Sequence, residues 1–215
     1  MKLSTLSIIL FYFFLSIEVL LARPVSYKDS WTIITNNDYK RNSLLLHYSP
    51  SSKYSVGYKA AYWKDKEYWL NTINLNYLFK RINKQKSQTN FYLNSGLGIL
   101  KSNYRQYNNR KELVSYGGLS LDWETRKLFS SYKINALKSS NVDGTFMQNA
   151  RFGFAPYLAD FGKLHTWFMY QLDHTPENSK IYTSNFIIRL FKSTNLIELG
   201  LSEYKDVTLN YIKRF

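Results

Sequence analysis

Val207-Thr208-Leu209-Asn210-Tyr211-Ile212-Lys213-Arg214-Phe215 is the stretch from which the fold is read. Val207, Leu209, Tyr211 and Phe215 fall on one face of an extended chain and Thr208, Asn210 and Arg214 on the other. That period of two sends successive side chains to opposite sides of a sheet. A terminal strand of a soluble protein usually trails off into polar residues that tolerate disorder. Here the alternation runs into an aromatic last residue.

The same alternation recurs upstream. Trp31–Ile34 starts a first run, and Leu44–Tyr48 forms a second that ends in the turn Ser49–Ser52. Tyr54, Val56, Tyr58, Ala60 and Tyr62 alternate with Ser55, Gly57, Lys59 and Ala61. Ile73, Leu75, Tyr77 and Phe79 follow, then the polar turn Asn83–Gln88, then Phe91, Leu93, Leu97 and Ile99. A longer polar loop is expected over Lys101–Glu112. Beyond it come runs around Leu119–Trp123, Tyr132–Ala136, Ala150–Phe154, Thr166–Leu172, Phe186–Leu190 and Ile197–Leu201, and Pro156 marks a strand end. About twelve strands result, with connections alternating between short and longer, and neither βαβ spacing nor a helical period is present.

One face of these runs carries Leu, Ile, Val, Phe and Tyr. The other carries Lys59, Asp122, Glu124, Lys133, Arg151, Arg189 and Glu198. A soluble sandwich with its apolar face inward has the same pattern, so periodicity alone does not say which face is wet. Gly57, Gly96, Gly98, Gly118, Gly153 and Gly200 share the charged face, and glycine suits a crowded, curved interior better than a solvated exterior strand.

With its alternating strands and its final Phe215 strand, the chain resembles the bacterial outer-membrane β-barrel family, whose members end in a strand with a C-terminal Phe and apolar or aromatic residues at every second position before it. Lys213 departs from that pattern. The resemblance implies that Tyr211 and Phe215 serve as a signal to the barrel-assembly machinery, that outer-membrane lipid and lipopolysaccharide surround the protein, and that it resides in the bacterial outer membrane.

Composition narrows the function classes. No cysteine is present in the 215 residues, which excludes disulfides and thiolate metal sites. A formal charge of +14 raises nucleic acid as a partner, but the basic residues are scattered over many segments rather than gathered on one face, so no nucleic acid is expected. A phosphate-bearing lipid surface suits such scattered charge better. Met1-Lys2, the apolar run Leu6–Leu21 and Ala22 form a secretory signal pattern, giving a signal peptide over 1–22 and a barrel over 23–215. No later segment reaches the roughly 20 apolar residues of a spanning helix.

Chemistry-bearing constellations are few. His174 with Asp173, and His47, are candidates for a catalytic imidazole; Ser179 and Ser184 lie near the first in sequence. Nothing like a Gly-x-Ser-x-Gly elbow fixes a nucleophile, and no ligand spacing specifies a metal. The residues therefore favour a non-enzymatic role with no cofactor. Tyr54, Tyr62, Tyr68, Trp69, Tyr77, Phe79, Trp123, Tyr132, Tyr170 and Tyr211 are expected in aromatic girdles.

The expected architecture is all-β: a closed, antiparallel, up-and-down transmembrane barrel of about twelve strands. The expected function is porin-like passage or binding of a small polar solute or ion, or a structural role in the membrane. A lipid-modifying barrel enzyme using a histidine is the alternative, and a soluble exported β-barrel that binds a ligand is the second.

Overall fold

The computed structural model describes residues 24–64, 67–102, 110–140, 144–160, 162–177 and 180–215. The signal pattern over 1–22 lies outside these residues, as do Phe161, Ser179 and most of the loop between Lys101 and Glu112. Twelve strands are formed by the described residues. They are β1 (Ser30–Asn37), β2 (Arg41–Ser51), β3 (Tyr54–Trp63) and β4 (Tyr68–Lys84). Next come β5 (Ser87–Ser102), β6 (Lys111–Glu124), β7 (Leu128–Ser139) and β8 (Thr145–Phe154). The last are β9 (His165–His174), β10 (Tyr182–Lys192), β11 (Asn195–Ser202) and β12 (Val207–Arg214). Among the described residues none is helical.

Every strand pairs antiparallel with its neighbours in sequence, and β12 pairs with β1 to close the barrel. Closure satisfies the backbone groups that an open edge would leave bare. The join runs from Thr32 opposite Arg214 to Asn37 opposite Leu209, and Phe215 adds a further bond from its N–H to the Trp31 carbonyl at 2.9 Å.

The apolar faces look outward. Leu75 is 46% exposed, Leu121 37% and Ile188 44%, whereas Arg189 and Glu198 are each 4% exposed. A water-soluble protein does not present a continuous apolar exterior of this extent, so the arrangement is that of a barrel in hydrocarbon and not of a soluble one. Outward aromatic pairs lie toward both ends, Trp31 with Tyr48 at 5.1 Å and Tyr62 with Trp69 at 5.1 Å between ring centroids. Of the aromatics expected in girdles, Tyr68 is the exception: it points inward, is fully buried, and stacks on Trp63 at 5.7 Å.

Three connections differ from expectation. β2 runs through Pro50 to Ser51, because the pairing with β3 slips between Tyr48 and Ser51 and a bulge tolerates a residue without an N–H. β4 and β5 stay paired to Lys84 opposite Ser87, so the turn is only Gln85-Lys86. At the end where the termini lie, the links are 52–53, 85–86, 125–127 and 193–194, except that β8 and β9 are joined by the long segment 155–164.

The six glycines of the charged face all lie on the inner wall. A Cβ on Gly57 would stand 2.5 Å from the His47 Cβ, and one on Gly153 would stand 2.7 Å from the Met169 Cγ, so neither position accepts a side chain without displacing its neighbour.

A candidate solute-binding lumen

The inner wall is layered by chemistry. Ala61, Trp63, Tyr68, Leu70, Leu100, Val114 and Leu137 form one apolar cluster on β3–β7, toward the end away from the termini. Phe129, Ala155, Trp167, Met169 and Ile187 form another toward the terminal end. Between them lies a polar belt.

All seven charged residues singled out from the sequence, Lys59, Asp122, Glu124, Lys133, Arg151, Arg189 and Glu198, are on the inner face, because each shares its strand's parity with the buried residues. Three of them meet. Glu198 Oε1 accepts from Arg151 Nη1 at 2.8 Å, from Arg189 Nη2 at 2.6 Å and from Arg189 Nε at 2.8 Å. Its Oε2 accepts from Asn210 Nδ2 at 3.0 Å. Arg151 also donates through Nε to Gln171 Oε1 at 2.8 Å, and the Arg189 guanidinium lies over the Phe129 ring at 5.1 Å. Burying three charges is costly, and this donor set offsets that cost.

Two further carboxylates of the belt, those of Asp122 and Asp173, are held by amides. Asn90 Nδ2 donates to Asp122 Oδ1 at 2.6 Å. Asp173 accepts from Asn149 Nδ2 at 2.6 Å, from Gln171 Nε2 at 2.8 Å and from Asn185 Nδ2 at 3.0 Å. Lys133 is different. It stands opposite Ser120 and Asn149, is exposed although it points inward, and makes no ion pair or hydrogen bond among the described residues. Lys59, half-buried on β3 four strands away round the barrel, is likewise unpaired among them. Open space inside the belt is therefore bordered by free ammonium groups and by carboxylates already engaged.

The strand registers place these groups, and the twelve-stranded closed sheet that carries them has relatives in shape. No known family profile matches the sequence, and no curated protein does. Among solved structures, a KdgM porin in complex with disordered oligogalacturonate superposes with a TM-score of 0.52 at 9% identity, over 86% of this chain and 98% of that one. A second KdgM porin structure gives 0.50 at 9% identity, over 86% and 98%. LpxR from Salmonella typhimurium gives 0.46 at 9% identity, over 86% and 99%. The fold is that of the bacterial outer-membrane β-barrels.

As in any such barrel, adjacent strand residues face opposite media, and this corrects the pairing of Asp173 with His174 expected from the sequence. Asp173 points into the lumen, while His174 lies on the outer face, stacked on Tyr182 at 4.6 Å with Nδ1 3.3 Å from Gln148 Nε2. The carboxylate cannot orient that imidazole, because a strand sends consecutive side chains to opposite faces. His47 does face the lumen and is fully buried, and among the described residues neither of its ring nitrogens has a hydrogen-bond partner of the kind that orients a catalytic base. Among the described residues no three metal-ligating side chains come together. Tyr211 points outward and donates to Asn195 Oδ1 at 2.7 Å, while Phe215 is 61% exposed at the closing seam.

Sequence reasoning missed two parts of this barrel. One is the set of amides, Asn90, Asn149, Gln171 and Asn185, that engages the carboxylates; only the strand register reveals it. The other is the segment before β1, which folds inside the terminal mouth. There Val25 packs with Leu78 and Tyr92, Ser26 N–H donates to Ser49 Oγ at 3.1 Å, and Ser55 Oγ donates to the Pro24 carbonyl at 2.7 Å.

Proposed function

We propose that this chain is an exported outer-membrane pore that admits a small polar solute and favours one bearing a carboxylate or another anionic group. The observation that carries this reading is Lys133, an inward ammonium left without a protein partner among the described residues, beside carboxylates that already have donors. A fixed, unpaired charge in a narrow passage raises the local concentration of the opposite ion. Lys59 adds a second such charge on the inner wall four strands away. The porin of similar fold in complex with oligogalacturonate, an acidic oligosaccharide, supports the same choice.

The rest of the reading follows from the membrane setting. Residues 1–22 direct export and 23–215 form the barrel. Tyr211 and Phe215 are offered to the barrel-assembly machinery, and outer-membrane lipid and lipopolysaccharide contact the exterior. The terminal end, with its mostly short links, faces the periplasm, as short turns do in such barrels.

The test is the reversal potential in a planar bilayer under a potassium chloride gradient. Wild type should be anion-selective, and Lys133→Glu should move the potential toward cation selectivity. A reversal potential that Lys133→Glu leaves unchanged would sink the assignment of Lys133.

A further inference from the structure

The outer face carries one feature that the membrane setting alone does not explain. Lys101 on β5 and Lys111 on β6 stand directly opposite each other, both exposed, on the end of the barrel away from the termini. Like charges directly opposed on one face of a sheet repel, with Cβ atoms roughly 5 Å apart. Neither lysine forms an ion pair or hydrogen bond among the described residues, and exposed Arg110 adds a third positive group at the start of β6. Lys138, on the neighbouring β7 and opposite Ser115, is exposed on the same face and also unpaired among them.

What surrounds the pair has the polarity of a lipid. Trp69 lies directly beside Lys101 across the β4–β5 pairing and is itself in ring contact with Tyr62, as aromatics at a headgroup boundary are. One pairing deeper on the same face are Ile99 and Leu113, directly opposite each other and 52% and 78% exposed, followed by Leu97 at 70%. Cations thus sit at the rim, with the apolar side chains of Ile99, Leu113 and Leu97 directly below them on the same face and Ser115 opposite Leu97.

We propose that Lys101 and Lys111, flanked by Trp69 and Lys138, form a site for the phosphate of a phosphorylated membrane lipid whose acyl chains lie along Ile99, Leu113 and Leu97. This rests on the barrel spanning a membrane but not on what passes through it. A phosphate between the two ammonium groups turns their repulsion into two attractions, and lysine suits it as a compact point charge. The long stems of Lys101 and Lys138 let the charges reach up to the headgroup level while covering apolar surface.

The experiment is native mass spectrometry of the full chain in detergent micelles, offered in turn bisphosphorylated lipid A, its dephosphorylated form, and inorganic phosphate. Wild type should retain the bisphosphorylated lipid and release the dephosphorylated one. The double variant K101Q/K111Q should retain it roughly tenfold less, since each basic group at the headgroup level adds its own attraction to the lipid phosphate, and Lys138→Gln should weaken retention less than that. Lipid-free K101Q/K111Q should melt no lower than wild type, since it removes a repulsion, so a drop in binding is not a failure to fold. Equal retention by K101Q/K111Q, or equal retention of the dephosphorylated lipid, overturns the site. Displacement of the lipid by inorganic phosphate at equal concentration overturns its assignment to a lipid. Bilayer conductance, measured in parallel, reports separately on the pore.

Discussion

Arg189 and Glu198 stand directly opposite each other on β10 and β11 and close a two-pronged ion pair, with Nη2 and Nε both on Oε1 and both side chains 5% exposed. Arg151 reaches the same oxygen from β8 and Asn210 reaches the other from β12, so one carboxylate ties together four strands of the wall. Glu198→Gln leaves two guanidinium groups without their counter-charge. We expect a loss of about 3–5 kcal/mol, the usual cost of breaking a buried pair from one side, read as a lower urea midpoint for refolding in micelles. An unchanged midpoint would show that the network contributes little.

Gly153 leaves room for Met169. In Gly153→Val the new side chain meets Met169 Cγ and Cε, which a Cβ alone would approach to 2.7 and 2.9 Å. Overpacking of this kind costs about 1–3 kcal/mol. Adding Met169→Ala to Gly153→Val should recover part of it, because the two effects are coupled through one contact. Strict additivity of the two changes in a denaturation series would contradict that contact.

Val25 is 2% exposed against Leu78 and Tyr92 inside the terminal mouth. Val25→Asp places a carboxylate in that apolar contact, an unfavourable burial that is relieved if the segment leaves the lumen. Single-channel conductance should rise while the folded form still migrates apart from the boiled form on a gel. Unchanged conductance would mean that the segment does not narrow the passage.

The Phe215 side chain contributes little burial, and the residue's two hydrogen bonds to Trp31, from its N–H to the Trp31 carbonyl and from the Trp31 N–H to its own carbonyl, are backbone bonds that a substitution keeps. Phe215→Ser should therefore refold in micelles with stability within about 0.5 kcal/mol of wild type, yet reach the outer membrane in lower yield in cells. Equal yields in the membrane fraction would remove Phe215 from the assembly signal.

Much of the barrel is legible in the chain because strand alternation is local: Tyr54 to Tyr62 and Leu119 to Glu124 show their two faces within a few residues. The glycines are legible for the same reason, as a class of small residues on one face. Asp173 and His174 mislead because adjacency in sequence suggests proximity of side chains, which a strand forbids. Tyr68 misleads because an aromatic near a strand end fits a girdle or an interior cluster equally well, and its stacking on Trp63 depends on how the β3–β4 hairpin turns.

The order of residues by itself determined the extended conformation, the number of strands and the partition of every strand into an apolar and a polar face, since each follows from a period of two. Closure of β1 on β12 and the meeting of Arg151, Arg189 and Glu198 were decided only by the tertiary structure, as was the absence of any partner for Lys133 among the described residues. The physical reason is that these join residues far apart in the chain, through a register and curvature that no local pattern encodes.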